Sequence, residues 1–169
     1  DKANVLASMA FFRKIFFEIA AEFPDCEADT HYIDATALDL VRRPWDFDVM
    51  PTENMFGDII SDLAAGLIGG MGFAPSADIG AENAVFQPSH GTAPDIAGQG
   101  MANPTAMILS AAMMLAWLGR RHGEDGCLQA ARLLEGAVDA AFGEDGLRTA
   151  DFGGPDGTAE VTKAVMARI

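Results

Sequence analysis

The chain has 169 residues, a length that suits one ordinary domain, and half of them are apolar, which excludes an intrinsically disordered protein. Lys and Arg number 11 against 25 Asp and Glu, and the resulting net charge of −14 argues against a nucleic-acid partner and against a polybasic membrane-binding surface. The two cysteines, Cys26 and Cys127, lie far apart and in no metal-binding spacing, so we expect no disulfide framework and a reducing, cytoplasmic location. The longest apolar tract, residues 104–118, is too short for a membrane span, which needs about 20 residues.

The first part of the chain predicts helices separated by short extended segments. Apolar residues recur every three to four positions over three ranges, which predicts helices at 3–23, 35–43 and 55–68. The β-prone runs at 31–33 and 47–50 predict two brief strands between these helices.

In the second part of the chain, glycine and proline residues mark the loops between the predicted elements. Residues 69–80 predict a loop, residues 84–87 a short strand, and residues 88–100 a second, longer loop. Asn103 and Pro104 are typical of a helix start, with Asn103 as N-cap and Pro104 at the first helical position. Three helices are predicted, at 104–119, 128–142 and 158–169, with a loop over 148–157. Short strands alternating with helices predict an α/β architecture.

Two aspartates share one face of the helix predicted over 55–68. Asp58 and Asp62 are four residues apart, which places both carboxylates on the same side of the helix. Because Mg²⁺ binds carboxylate oxygens together with substrate and water, the pair is a candidate for metal ligands. A solvated acidic face is the simpler interpretation of such a pair, but its apolar neighbours favour a site.

The loop over residues 88–103 is a second candidate site. It shows almost no hydrophobic periodicity, and long loops of this kind in compact domains are usually functional. His90 is a candidate to stack on a ligand or hydrogen-bond to it, with a purely structural histidine as the alternative. Asp95 is a candidate to accept hydrogen bonds from a ribose. The loop does not match the Rossmann fingerprint, because Asn103 stands where its third glycine belongs.

Lys2 and Asp34 form the third candidate. Lys2 precedes an apolar helix, where a positive charge opposes the helix dipole, so it is a candidate for a partly buried base, with a solvated lysine as the alternative. Asp34 stands at a predicted strand-to-helix junction, where N-capping is the simpler role. No Gly-x-Ser-x-Gly motif occurs and neither cysteine has a neighbouring histidine, so nucleophilic catalysis is not indicated.

Taken together, four stretches of the sequence resemble the β-decarboxylating dehydrogenase family, which includes the isopropylmalate, isocitrate, homoisocitrate and tartrate dehydrogenases. The matching stretches are residues 1–6, 32–35, 52–62 and 90–103. Family members are longer than this chain. The resemblance therefore implies an isopropylmalate/isocitrate dehydrogenase-like two-domain α/β fold, of which this chain is the C-terminal half.

The resemblance implies a metal-dependent active site shared between two subunits. Lys2 matches the catalytic lysine, a general base for the C2 hydroxyl of the substrate. Asp34, Asp58 and Asp62 match the three aspartates that hold Mg²⁺ or Mn²⁺, which makes Asp34 both a catalytic and a metal-binding residue. In the family, Lys2 and Asp34 would come from one subunit and the other two aspartates from its partner, so the site is expected to be complete only in a homodimer.

The same resemblance implies an adenosine-binding loop and NAD as the cofactor. The residues that match cofactor-binding positions are Asn4, His90, Gly91, Ala93, Asp95 and Asn103. Family members that use NADP carry a lysine at the position of Asp95, which suits a 2′-phosphate. A carboxylate there would repel that phosphate and bind the ribose hydroxyls instead, as the acidic residue of a Rossmann site does.

Domain assignment and substrate also follow from the resemblance. Residues 1–68 would belong to a substrate and dimerisation domain, and residues 69–169 to the larger cofactor-binding domain.

The stretch 147–151 is shared with isopropylmalate enzymes, whereas 76–80 and 84–88 look nearer to isocitrate and homoisocitrate enzymes. We therefore expect a small 2-hydroxy acid of the isopropylmalate type, with isocitrate, homoisocitrate and tartrate or malate types as alternatives. A non-catalytic regulatory subunit is a further alternative, and the retention of the lysine and all three aspartates argues against it.

Overall fold

The computed structural model describes residues 1–169. The chain forms two compact units, Asp1–Leu67 and Ile68–Ile169. No helix in either unit has the length and apolar character that a membrane crossing requires.

The first unit is helical. Its helices are α1 (Ala7–Ala20), α2 (Ile33–Arg42) and α3 (Asn54–Leu67), with a 3₁₀ turn at Pro44–Asp46. Helix α2 packs against α3, and the buried residues of the pair are Thr36, Leu40, Ile60 and Ala65. Many large apolar side chains of this unit remain exposed, among them Phe11 and Ile59.

The second unit packs helices on a two-stranded sheet. Strands β1 (Pro75–Ile79) and β2 (Ala84–Pro88) pair antiparallel, with Ala77 opposite Phe86. The helices are α4 (Thr105–His122), α5 (Asp125–Gly143) and α6 (Thr158–Met166), and 3₁₀ turns occur at Pro94–Ile96 and Ala150–Phe152. Helix α4 contacts both strands and α5, and α6 packs against α5. The core of the unit comprises Ala137, Val138, Ala141, Leu147, Val161 and Val165.

The close approach of α4 and α5 depends on a glycine. A Cβ at Gly119 would lie 2.7 Å from side-chain atoms of Leu128, so a larger residue would force Leu128 to shift where the two helices meet. Gly123 then ends α4 in the left-handed conformation, with φ 71°, and its N–H donates to the carbonyl of Gly119.

Both strands predicted in the first unit are wrong. Tyr32 is extended, but Ile33 already begins α2, and the N–H of Ile33 donates to the Asp1 carbonyl rather than to a ladder of strand partners. Phe47 is also extended, yet residues 47–50 pair with no strand. A β-prone run becomes a strand only where a partner supplies the hydrogen bonds, and neither segment has one in this chain.

The predicted loop over 69–80 was also wrong in part, because β1 occupies Pro75–Ile79 and pairs with the strand that the sequence did predict. All six predicted helices are present, with shifted ends. Pro104 is the N-cap of α4 rather than its first residue, and Asn103 precedes it. Asp34 lies in the first turn of α2, whose N-cap is Tyr32, so the N-cap interpretation of Asp34 was wrong.

Candidate functional site

Lys2 and Asp34 are in direct contact in the first unit. The Nζ atom of Lys2 lies 2.5 Å from Oδ1 of Asp34, and the two side chains are 25% and 67% exposed. The hydrogen bond from Lys2 lowers the pKa of Asp34, and backbone N–H groups in the first turn of α2 act in the same direction. The structure thus brings together a lysine and a carboxylate that are 32 residues apart in sequence.

Backbone pairing explains why these two side chains meet. The carbonyl of Asp1 accepts a hydrogen bond of 2.8 Å from the N–H of Ile33, and the backbone nitrogen of Asp1 lies 3.0 Å from the carbonyl oxygen of His31. The residue after Asp1 and the residue after Ile33 are therefore neighbours. These two residues are Lys2 and Asp34.

Asp58 and Asp62 lie on α3 at the predicted i, i+4 spacing. Both are exposed, and neither carboxylate lies within 4.0 Å of a cationic side chain. Adjacent carboxylates repel each other when no cation lies between them, and hard divalent cations prefer such oxygen ligands. The donor chemistry of the pair therefore fits Mg²⁺ or Mn²⁺.

Asp34 does not join this pair within the chain. No three His, Cys, Asp or Glu side chains of the protein form a group that could hold a metal ion. Within one copy of the chain, Asp34 therefore lies apart from Asp58 and Asp62.

The second unit contains a groove of about 750 Å³. Four of the predicted cofactor-binding residues line it: His90, Gly91, Ala93 and Asn103. The groove loop, residues 90–103, forms most of its wall. It is strained at one position, because Ala93 is the only non-glycine residue with positive φ, at 42°. Strain of this kind is concentrated at binding and catalytic sites.

The other two predicted cofactor residues do not line the groove. Asp95 is exposed in the 3₁₀ turn that follows Ala93, and its backbone carbonyl accepts a hydrogen bond of 2.7 Å from Gln99. Asn4 is exposed and belongs to the first unit, in the turn that precedes α1.

Asn103 is held in place by three hydrogen bonds. Its Oδ1 accepts from the N–H of Thr105 at 3.0 Å, which satisfies a free donor at the start of α4. Its Nδ2 donates to Oδ2 of Asp151 at 3.1 Å and to Oγ1 of Thr149 at 3.4 Å. A Cβ at Gly72 would clash with the Asp151 carboxylate and press against Asn103, so a side chain there would displace the carboxylate that Asn103 binds.

Sequence reasoning missed two residues that build the groove, Thr158 and Asp151. The hydroxyl of Thr158 donates to the carbonyl of Ala102 at 2.5 Å, and its N–H donates to the carbonyl of Gly100 at 2.8 Å. Asp151 belongs to the stretch 147–151, whose likeness to isopropylmalate enzymes was a usable signal. Thr158 stands at the predicted start of the last helix and carried no such signal.

Comparison with known proteins identifies close relatives. The family model described as isocitrate/isopropylmalate dehydrogenase matches residues 1–165. The 3-isopropylmalate dehydrogenase of Methanothermobacter thermautotrophicus is 48% identical over 169 residues, which cover 99% of this chain and 49% of that protein. The isocitrate/homoisocitrate dehydrogenase of Thermus thermophilus is 51% identical over 166 residues, with 98% and 47% covered. The chain thus spans about half the length of the curated relatives it matches.

Solved structures that are similar to this chain are also dehydrogenases of the isocitrate or β-decarboxylating type. The crystal structure of isocitrate dehydrogenase from Methylococcus capsulatus superposes with a TM-score of 0.89 at 45% identity, covering 99% of this chain and 48% of that one. The apo β-decarboxylating dehydrogenase from Thermococcus kodakarensis gives 0.79 at 40% identity, with 99% and 47% covered. The predicted fold class is confirmed by these matches.

Proposed function

The chain belongs to the isocitrate/isopropylmalate dehydrogenase family, and we propose that the protein carrying it is an NAD-dependent, metal-requiring β-decarboxylating dehydrogenase. Its substrate would be a 3-carboxy-2-hydroxy acid. The observation that carries the proposal is the contact of 2.5 Å between Lys2 Nζ and Asp34 Oδ1. It pairs a potential base with a carboxylate at the two positions that the family resemblance assigns to catalysis.

Lys2 is the proposed general base. In its neutral form the amine accepts the proton of the substrate C2 hydroxyl at Nζ, either directly or through a water molecule. Asp34 holds the Lys2 side chain in one orientation and stabilises the ammonium that forms. Because Oδ1 of Asp34 is engaged by Lys2, Oδ2 is the oxygen left for another ligand.

Asp34, Asp58 and Asp62 are the proposed ligands of Mg²⁺ or Mn²⁺. A bound divalent cation would supply Lewis-acid stabilisation of the negative charge that develops on the substrate oxygens. Asp34 would come from one subunit and the Asp58–Asp62 pair from a second copy, since the three do not meet within one chain.

The surface of the first unit supports a homodimer as the working state. Leu38 and Val41 of α2 are 55% and 56% exposed, and Met55 and Ile59 of α3 are each 57% exposed. Apolar side chains left in water on adjacent helices are typical of a protein–protein interface. Ile59 directly follows Asp58, so an interface on this face of α3 would place the metal ligands at its edge.

NAD is the proposed cofactor, with its adenosine portion in the groove lined by His90, Gly91, Ala93 and Asn103. When bound, NAD supplies the acceptor for the hydride that leaves C2 of the substrate. Asp95 lies two residues beyond the strained Ala93, and its exposed carboxylate would repel a 2′-phosphate and accept hydrogen bonds from ribose hydroxyls. The cytoplasm is the proposed location, because the sequence has only two cysteines, far apart and without the pattern of a disulfide framework.

The proposed substrate is of the isopropylmalate type. Isocitrate, homoisocitrate and tartrate or malate types are the alternatives, and the names of the relatives include both isopropylmalate and isocitrate/homoisocitrate dehydrogenases. All four lysine and aspartate positions retain the residues that catalysis would need, which favours an enzyme over a regulatory subunit.

The test uses the protein at its full natural length, supplied with Mn²⁺ and NAD. NADH formation is followed at 340 nm against isopropylmalate, isocitrate, homoisocitrate and tartrate in parallel, with NADP as the alternative cofactor. We expect turnover of isopropylmalate with NAD and little with NADP. Turnover of another acid would move the substrate assignment, and a preference for NADP would refute the role of Asp95. No turnover of any acid while Mn²⁺ binds would favour the regulatory subunit.

A further inference from the structure

A partly buried ion pair lies directly beside Lys2. The guanidinium of Arg13, on α1, donates to both carboxylate oxygens of Asp1, from Nε to Oδ2 at 2.8 Å and from Nη2 to Oδ1 at 2.6 Å. The Asp1 side chain is 9% exposed and that of Arg13 is 24% exposed. The N–H of Ala3 donates to the same Oδ1 at 2.9 Å, so the Asp1 carboxylate holds the backbone on both sides of Lys2.

Tyr32 connects this ion pair to Lys2. The guanidinium carbon of Arg13 lies 5.1 Å from the centre of the Tyr32 ring, and the ammonium of Lys2 lies 5.7 Å from it. Both distances fall in the range of cation–π attraction, within about 6 Å of a ring centre. The ring therefore attracts the Lys2 side chain to the side where Asp34 stands, two residues further along the chain.

We propose that Arg13 and Tyr32 are positioning residues for Lys2. The inference rests on the proposed role of Lys2 as the base and adds what holds that base in place. Arg13 orients the Lys2 backbone through Asp1, and Tyr32 orients its side chain toward Asp34. Neither residue touches the substrate in this scheme, so both act only through the geometry of the Lys2–Asp34 contact.

The position of Lys2 should depend strongly on Arg13, because Arg13 is the cation that pairs with the Asp1 carboxylate. Replacing Arg13 by methionine would leave the largely buried Asp1 carboxylate without its cation, and removing one partner is the costly way to break such a pair. The next residue along the chain carries an ammonium, so the freed carboxylate would compete with Asp34 for Lys2. Because Asp1→Asn removes the negative charge instead, the double variant Asp1→Asn with Arg13→Met separates the loss of positioning from the burial of an unpaired charge.

The activity experiment compares these variants in the full natural-length protein with Mn²⁺ and NAD. We expect kcat to fall about 10- to 100-fold in Arg13→Met and in Tyr32→Leu, since a displacement of about 1 Å at a reacting group costs on that order. The dissociation constants of NAD and Mn²⁺ should stay within about twofold, because no binding group is removed. Tyr32→Phe keeps the ring and should restore most of the rate.

Two control variants distinguish a positioning role of Arg13 and Tyr32 from a general loss of structure. Lys14→Met removes the neighbouring cation on α1, which is 68% exposed and pairs only with Glu18, and it should leave kcat unchanged. The double variant should be slower than wild type but no slower than Arg13→Met alone, because it loses the ion pair without leaving an unpaired charge. Equal losses in kcat and in the affinity for NAD, or a Tyr32→Phe variant as slow as Tyr32→Leu, would overturn the proposal.

A spectroscopic readout keeps the test independent of turnover. Reductive methylation with ¹³C-formaldehyde labels lysine amines while preserving their charge, and the resonance that disappears in Lys2→Arg belongs to Lys2. We expect that resonance to be shifted by the Tyr32 ring current, and to lose this shift in Tyr32→Leu and in Arg13→Met but not in Tyr32→Phe. A Lys2 resonance already at the solvated position would overturn the inference. If the shifts occur as expected but no acid is turned over, the proposed function fails and the inference stands.

Discussion

Replacing Thr158 by valine tests how the cofactor groove is held. Valine has nearly the shape of threonine but lacks the hydroxyl that donates to the carbonyl of Ala102 at 2.5 Å. The second bond, from the backbone N–H of Thr158 to the carbonyl of Gly100 at 2.8 Å, does not depend on the side chain and should persist. The variant therefore removes one of the two bonds that join the start of α6 to the groove loop.

The expected loss is modest because one half-exposed hydrogen bond is removed. A net contribution of about 1 kcal/mol is typical of such a bond. If that free energy is needed to keep the loop in its binding conformation, the Kd of NAD should rise about fivefold. The assay is isothermal titration of the natural-length protein with NAD, together with urea unfolding monitored by fluorescence.

Thr162→Val is the matched control on the same helix. Its hydroxyl bonds to the carbonyl of Thr158 at 2.7 Å, within α6 and away from the groove loop. The control should lose no affinity for NAD. An unchanged Kd in Thr158→Val, or an equal loss in both variants, would refute the role assigned to Thr158. A wild-type protein that binds no NAD would instead refute the cofactor assignment, and the urea midpoint would still report on the hydrogen bond.

Three further predictions follow from the packing and the ion pairs. Ile59→Lys should convert the proposed dimer to a monomer, as measured by multi-angle light scattering. Met166→Lys, also at an exposed apolar position (65%), should leave the dimer intact. A dimeric Ile59→Lys variant would contradict the proposed interface. Val161→Ala, at a fully buried position, should lower the free energy of unfolding by about 2–3 kcal/mol, because two methyl groups are lost and a cavity is left. A loss below about 1 kcal/mol, measured by urea unfolding, would mean that the core closes around the cavity. Arg168 pairs with Asp145 and lowers its pKa, so the stabilising effect of the pair is present above the ordinary pKa of an aspartate and is lost as the pH falls through the lowered value. The melting temperatures of wild type and Arg168→Met should therefore differ at pH 7, and the difference should shrink only as the pH falls below about 4. A difference that stays constant down to low pH would exclude this ion pair as the cause.

Helices and motifs were the parts of this protein that could be predicted from sequence. Each helical range was predicted because apolar residues recur at the helical period, and the hydrogen bonds of a helix join residues four apart in the same segment. The spacing of Asp58 and Asp62 placed them on one face for the same local reason. The family was predicted from contiguous stretches and is confirmed by the match over residues 1–165.

The strands show the limit of the same reasoning. Residues 31–33 and 47–50 have β-prone composition but no partner in this chain, whereas residues 75–79 looked like a loop and form a strand because 84–88 lies beside them. Strand formation is a property of two segments, so composition within one segment does not decide it.

The sequence by itself determined the helices, the acidic pair on α3 and the family, because each of these depends on residues close together in the chain. Only the tertiary structure decided that Lys2 meets Asp34, that Arg13 binds Asp1, and that Thr158 and Asp151 hold the groove. These contacts join residues from 12 to 56 positions apart. Which distant side chains meet depends on how the elements pack and on where the backbone hydrogen bonds pair, and neither leaves a periodic trace in the sequence.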